Sequence, residues 1–161
     1  MAIRYEGAVL FVSDIEVSRR FYEQVMGQKL VEDHGPHLVF ESGFFLWQAD
    51  HARSVIHGNE EKKSHRLGQD NLELYFESED LDGAWEAINR HGVSPVHETV
   101  EHPWGQRAFR IYDPDGHVIE VGEPLAVQVK RLHGQGLGVE EIAKRNTIPI
   151  DFVKRVLKEE E

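Results

Sequence analysis

The chain has 161 residues, 18 Lys+Arg against 29 Asp+Glu, no cysteine and a formal net charge of −11, a size that predicts one compact domain with a small appendage. The lack of cysteine excludes disulfides, cysteine-ligated zinc, iron–sulfur clusters and thiol nucleophiles, and the acidic balance argues against nucleic acid as a partner. No apolar run approaches the roughly 20 residues that cross a bilayer, and Met1 to Glu6 lacks a signal-peptide layout, so no membrane and a cytoplasmic location are expected.

Ile3 to Val12 is apolar and β-prone. Asp14 is a good N-cap, and Ile15, Val17, Phe21, Tyr22, Val25 and Met26 recur at helical spacing up to Gly27. Three short strands are predicted next, over Lys29–Glu32, His37–Glu41 and Phe44–Gln48, with turns at Gly35-Pro36 and Ser42-Gly43. A short helix is predicted over Asp50–His57. Residues 58–70 are polar, include Glu60-Glu61-Lys62-Lys63, and read as a linker.

The pattern then restarts. Leu72–Phe76 is a predicted strand, Asp80 caps a helix through Leu81, Ala84, Trp85 and Ile88, and Gly92 ends it. Val96–Val100, Arg107–Tyr112 and His117–Val121 supply three more strands, the last two joined by the turn Asp113-Pro114-Asp115-Gly116. Asp14 aligns with Asp80, 66 residues on, and Trp47 with Glu120, 73 residues on. This is an internal repeat of β-α-β-β-β modules, residues 1–57 and 71–123. From 124 to 161 the chain reads as a helical extension, with helices over Ala126–His133, Val139–Arg145 and Ile150–Lys158. The last two have helix-turn-helix spacing, but this segment carries 7 Lys+Arg against 6 Asp+Glu, and its last helix runs into Glu159-Glu160-Glu161. A structural or dimer-contacting cap is expected rather than a DNA reader.

Val12-Ser13-Asp14-Ile15, Phe21-Tyr22 and Tyr112-Asp113-Pro114-Asp115-Gly116-His117-Val118-Ile119-Glu120 together resemble the vicinal-oxygen-chelate superfamily, which contains glyoxalase I, extradiol dioxygenases and bleomycin or fosfomycin resistance proteins. The resemblance covers about Arg4 to Glu123. It implies an α+β fold in which paired modules curl into a sheet with a cleft, a small-molecule ligand, and a homodimer. It also implies a divalent cation (Mg, Mn or Zn) held by four positions, which here read Gly7, Trp47, Glu73 and Glu120. Only Glu73 and Glu120 carry metal-binding groups, so by resemblance these two are the metal ligands and the catalytic acid or base. Two carboxylates suit Mg²⁺ or Mn²⁺ better than catalytic Zn²⁺, and they offer no histidine for an extradiol iron site.

Trp47 and Phe45 share one strand face and are expected to stack on a planar ligand. Arg107 and Arg110, three apart on one strand, face opposite sides, so one reaches the cleft while the other stays on the surface. His97-Glu98-Thr99-Val100-Glu101-His102 is one residue too long for a zinc-protease signature, and on a strand its histidines point to opposite faces. No histidine is assigned as a ligand. Three functions follow: a metal-dependent lyase or isomerase of glyoxalase type, a metal-free ligand-binding or sequestering protein, and a ligand-responsive regulator using the helical tail.

Overall fold

The fold was analysed in a computed structural model that describes residues 3–58 and 66–158. Glu60 to Lys63 of the expected linker and Glu159 to Glu161 lie outside the described residues. The chain divides into two compact units, Met1–Leu72 with Tyr112–Val118, and Glu73–Ile111 with Ile119–Glu161. Each contains one four-stranded sheet, and the protein is α+β with a helical C-terminal part. No described helix is long and apolar enough to cross a membrane.

In the first unit the strands β1 (Ala8–Val12), β2 (Leu30–Asp33), β3 (His37–Phe40) and β4 (Phe44–Gln48) form a sheet of order β1-β4-β3-β2. β1 runs parallel to β4, with Ala8 opposite Phe44 and Phe11 opposite Trp47. This pairing shortens the predicted first strand: β4 begins at Phe44, so residues before Ala8 have no partner, and Ile3 and Tyr5 stay exposed. Helix α1 (Ile15–Arg20) starts where the Asp14 carboxylate accepts the amides of Glu16 and Val17. It does not continue as regular α-helix to Gly27, because Phe21–Val25 opens into a π-helical turn. The wider turn places the consecutive rings Phe21 and Tyr22 both in the core, with Leu10, Val12, Leu38, Phe40, Phe44 and Leu46. Helix α2 (Ala49–His57) follows β4 directly and buries Ala49 and Ala52.

The tight turn at Asp113 closes as its residues dictate, with the Gly116 amide bonded to the Asp113 carbonyl and Gly116 at φ 85°. Asp113 is buried and its carboxylate organises the turn. One oxygen accepts the amides of Asp115 (2.9 Å) and His117 (2.8 Å), the other Tyr22 Oη (3.0 Å) and His117 Nδ1 (2.8 Å). Burial, then the charge of Asp113, pushes the Tyr22 phenol well above its ordinary value, so it stays protonated and donates.

In the second unit β5 (Glu73–Glu77), β6 (Ser94–Glu101), β7 (Arg107–Tyr112) and β8 (Val118–Gly122) form a sheet of order β5-β8-β7-β6. β6 is longer than its apolar run and includes Pro95, which an edge strand tolerates because one side of it needs no ladder bond. Helix α3 (Leu81–Asn89), capped by Asp80 onto the Gly83 amide, buries Leu81 and Ile88 and sets Trp85 against Phe109, ring centroids 5.1 Å apart. Phe109, Ile111, Ile119 and Val121 are all buried.

The extension forms α4 (Leu125–Gly134), α5 (Val139–Asn146) and α6 (Ile150–Lys158) around its own core of Val129, Leu132, Ile142, Val153 and Val156. It is tied to the β6–β7 turn. Arg131 reaches the buried Glu123 (2.6 Å), Glu101 (3.0 Å) and the Gly105 carbonyl (2.6 Å). Gln128 donates to the Trp104 carbonyl (2.9 Å), and Arg145 pairs with Glu101 (2.7 Å). Gly105 permits this approach: a Cβ there would lie 3.0 Å from Gln128 Nε2 and 3.2 Å from Leu132 Cδ1.

Candidate functional site

Strand alternation buries one face of each sheet and leaves Phe45, Trp47, Glu73, Arg110 and Glu120 of the expected site residues on the other. On the first sheet that open face is aromatic. His37 stacks on Phe45 (5.8 Å between centroids), and Trp47 meets His37 edge-on (5.6 Å) and Phe11 edge-on (6.2 Å). The Trp47 indole donates to His51 Nδ1 at 2.8 Å. Gly7, the fourth expected position, has no room for a ligand side chain, since a Cβ would sit 2.3 Å from the Gly43 carbonyl oxygen and 2.5 Å from the Phe45 ring.

On the second sheet the structure brings Glu73, Glu120 and Arg110 together. Arg110 Nε donates to Glu73 at 2.7 Å, and its Nη2 is ion-paired with Glu120. The Glu120 side chain is only 7% exposed and that of Glu73 40%, so Glu120 is the one whose charge depends on this partner. Arg107 points the other way and pairs with Asp82 on α3 at 2.6 Å. Of the two arginines, Arg110 is therefore the one on the open face. The Asp82 carboxyl lies below its ordinary range chiefly because Arg107 donates to it.

Two histidines that sequence reasoning set aside complete the cluster. Arg110 Nη1 lies 3.2 Å from His97 Nε2 and 3.4 Å from His102 Nε2. A guanidinium has no acceptor, so both Nε2 atoms accept and both rings are neutral with the proton on Nδ1. His97 Nδ1 is placed to donate to the Glu98 carbonyl at 2.8 Å. The alternation argument failed because β6 ends at Glu101, one residue before His102. The turn there, closed by Gly105 N to His102 O, brings that ring back beside Arg110 and stacks it on Trp104, centroids 4.5 Å apart. Tyr75 completes the open face. Its hydroxyl donates to Glu77 and accepts from Gln106, and burial followed by the Glu77 bond pushes it up to about 12.

Burial, then the charge of Arg110, holds His102 below its ordinary value. The fold thus prefers the neutral ring. The stabilisation is fully present above the unfolded histidine value of ~6.5 and is lost as pH falls toward the lower folded value. NMR titration is expected to place His102 below a free histidine, and His102→Gln is expected to flatten the loss of stability between pH 6.5 and 5 seen in urea denaturation.

The donor set does not fit a divalent cation. The position between the two carboxylates already holds a guanidinium, and among the described residues no three His, Asp or Glu side chains converge in a metal-binding group.

Paired β-α-β-β-β modules, each sheet with a helix-covered face and an open polar or aromatic face, define the glyoxalase-like class of protein. Residues 5–126 match the glyoxalase-like domain family, and the chain belongs to it. A protein of unknown function from Agrobacterium tumefaciens str. C58 is 39% identical over 77% of this chain and 96% of its own, with a TM-score of 0.71. A glyoxalase/bleomycin resistance protein/dioxygenase from Nocardioides shares 21% identity over 76% of this chain and 85% of its own, TM-score 0.61. A glyoxalase-related enzyme from Fulvimarina pelagi shares 19% over 76% and 89%, TM-score 0.63. No curated protein matches the chain. The family match stops at residue 126, so nearly all of α4 to α6 lies beyond it.

Proposed function

We propose that this protein is a metal-independent small-molecule-binding member of the glyoxalase-like family, and that its ligand rests on the open face of the second sheet. The observation that carries this reading is Arg110 held between Glu73 and Glu120. A fixed guanidinium supplies the positive charge that a divalent ion would bring, without an open coordination position. Its charge is already met by two carboxylates, which leaves the cluster one negative charge in excess while both histidines are neutral. An anionic ligand would add to that excess, whereas a cationic or donor-rich ligand offsets it. The half-exposed rings of Tyr75 and Trp104 provide flat surfaces beside the cluster, so the ligand class is a planar cation.

Two measurements test this. Thermal unfolding is expected to be unchanged by Mn²⁺, Mg²⁺ or Zn²⁺ and by chelator. Stoichiometric metal in purified protein that disappears in Glu120→Gln would refute metal independence. Proflavine, a planar cation, is expected to quench a Trp47→Phe variant but not Trp47→Phe/Trp104→Phe, and to bind at least tenfold more weakly to Glu73→Gln. Equal quenching by 1-naphthoate would sink the charge argument.

A further inference from the structure

The first unit contains a cavity of about 340 Å³ whose polar lining holds two arginines, Arg53 and Arg66, with His57, Asn71 and His117; Arg53 is also paired with Asp50 at 3.1 Å. Among the described residues that line it there is no aspartate or glutamate. In a chain of net charge −11 that local reversal is the first sign of an anion site. Val9, Phe11 and Leu72 supply apolar lining, and Val9 and Leu72 are more exposed than core residues normally are. Arg53 and Arg66 also line an adjoining cavity of about 380 Å³, there together with Asp50 and Asp115.

The second sign is His117. It is only 7% exposed, yet it lines the cavity rather than the core. Asp113 fixes it in one orientation and one tautomer. Asp113 Oδ2 receives the Tyr22 hydroxyl and His117 Nδ1, and its other oxygen receives two backbone amides. With the Nδ1 proton committed to a carboxylate, Nε2 carries the lone pair. No described residue bonds to that atom. A pre-oriented acceptor on a mostly buried ring, lining a cavity beside an exposed arginine, is a built polar contact for a ligand's N–H or O–H.

We infer that this cavity binds a small organic anion, a carboxylate or a phosphate monoester. Its charged group meets Arg66, its apolar body lies against Val9 and Phe11, and a donor group reaches His117 Nε2. The inference does not depend on the Glu73–Arg110 cluster, which belongs to the other unit. The turn that sequence reading explained by its Pro-Asp-Gly chemistry thereby gains a second role, since its Asp113 holds the ligand-facing ring.

The test uses the full chain and three probes: 4-hydroxybenzoate, 4-hydroxyphenyl phosphate and inorganic phosphate. Binding is followed by calorimetry and by the ¹⁵N shift of His117 Nε2 in long-range ¹H–¹⁵N spectra. At least one organic probe is expected to bind saturably and move the Nε2 resonance, while inorganic phosphate binds at least tenfold more weakly. Arg66, on an exposed segment, is replaceable without loss of core, and Arg66→Met is expected to weaken the organic probe at least tenfold. A response to 4-hydroxybenzoate alone assigns carboxylates, and a response to 4-hydroxyphenyl phosphate alone assigns phosphate esters; each supports the site. No saturable shift at His117 with any probe, or an affinity unchanged in Arg66→Met, overturns it.

Discussion

Arg110→Met is expected to destabilise the protein by about 3–5 kcal/mol, the usual cost of removing one partner of a buried ion pair. The substitution keeps the apolar stem but strands Glu120, whose side chain is almost wholly buried, without its counter-charge. Glu73 is more exposed and adds little, because water screens it. The loss is expected to shrink on acidification, since a buried carboxylate without a partner is relieved by taking up a proton. Adding Glu120→Gln to Arg110→Met is expected to recover part of the loss, so the double variant unfolds at higher urea than the single one. Additive losses would show that the guanidinium and Glu120 are not coupled, and would remove the electrostatic basis of the proposed site.

The second large effect is expected at Arg131. Glu123 has a side chain 2% exposed and receives two bonds from this guanidinium, at 2.6 and 3.0 Å. It also accepts the Arg107 amide, at 2.9 Å. Arg131→Met is expected to cost about 3 kcal/mol by leaving that carboxylate poorly compensated. Glu101→Gln, at the more exposed end of the same network, is expected to cost under about 1 kcal/mol. Arg131 also holds the Gly105 carbonyl, so hydrogen exchange at the amides of the 102–106 turn is expected to accelerate in Arg131→Met more than in the sheet. The extension thereby acts on the site: it fixes the turn that carries His102 and Trp104. Uniform acceleration across the second unit would instead mark Arg131 as a general stabilising residue.

The local grammar of the chain was legible. Asp14 and Asp80 cap helices where their side chains reach the next amides, the repeated β-α-β-β-β order is present, and the helical extension has its three helices close to their expected bounds. Period-2 alternation correctly separated Arg107 from Arg110, because a side chain's face on a strand is decided by its own backbone. What was not legible depends on residues distant in the chain. Nothing at Ile3 announces that its partner strand begins only at Phe44, and the helical period through Phe21 and Tyr22 hides the π turn that buries both rings.

The same reason governs the site. Composition determined the acidic character of the body, and the resemblance carried by the Asp14 and Asp113–Glu120 motifs pointed to the glyoxalase-like architecture and to the pair Glu73 and Glu120 as residues of interest. Only the tertiary structure decided that an arginine stands between them, that His97 and His102 turn neutral rings toward it, and that Arg110 rather than Arg107 takes this place. Each of those outcomes is a convergence of side chains from different strands and a turn. Strand register and turn closure set such convergences, and no local periodicity records them.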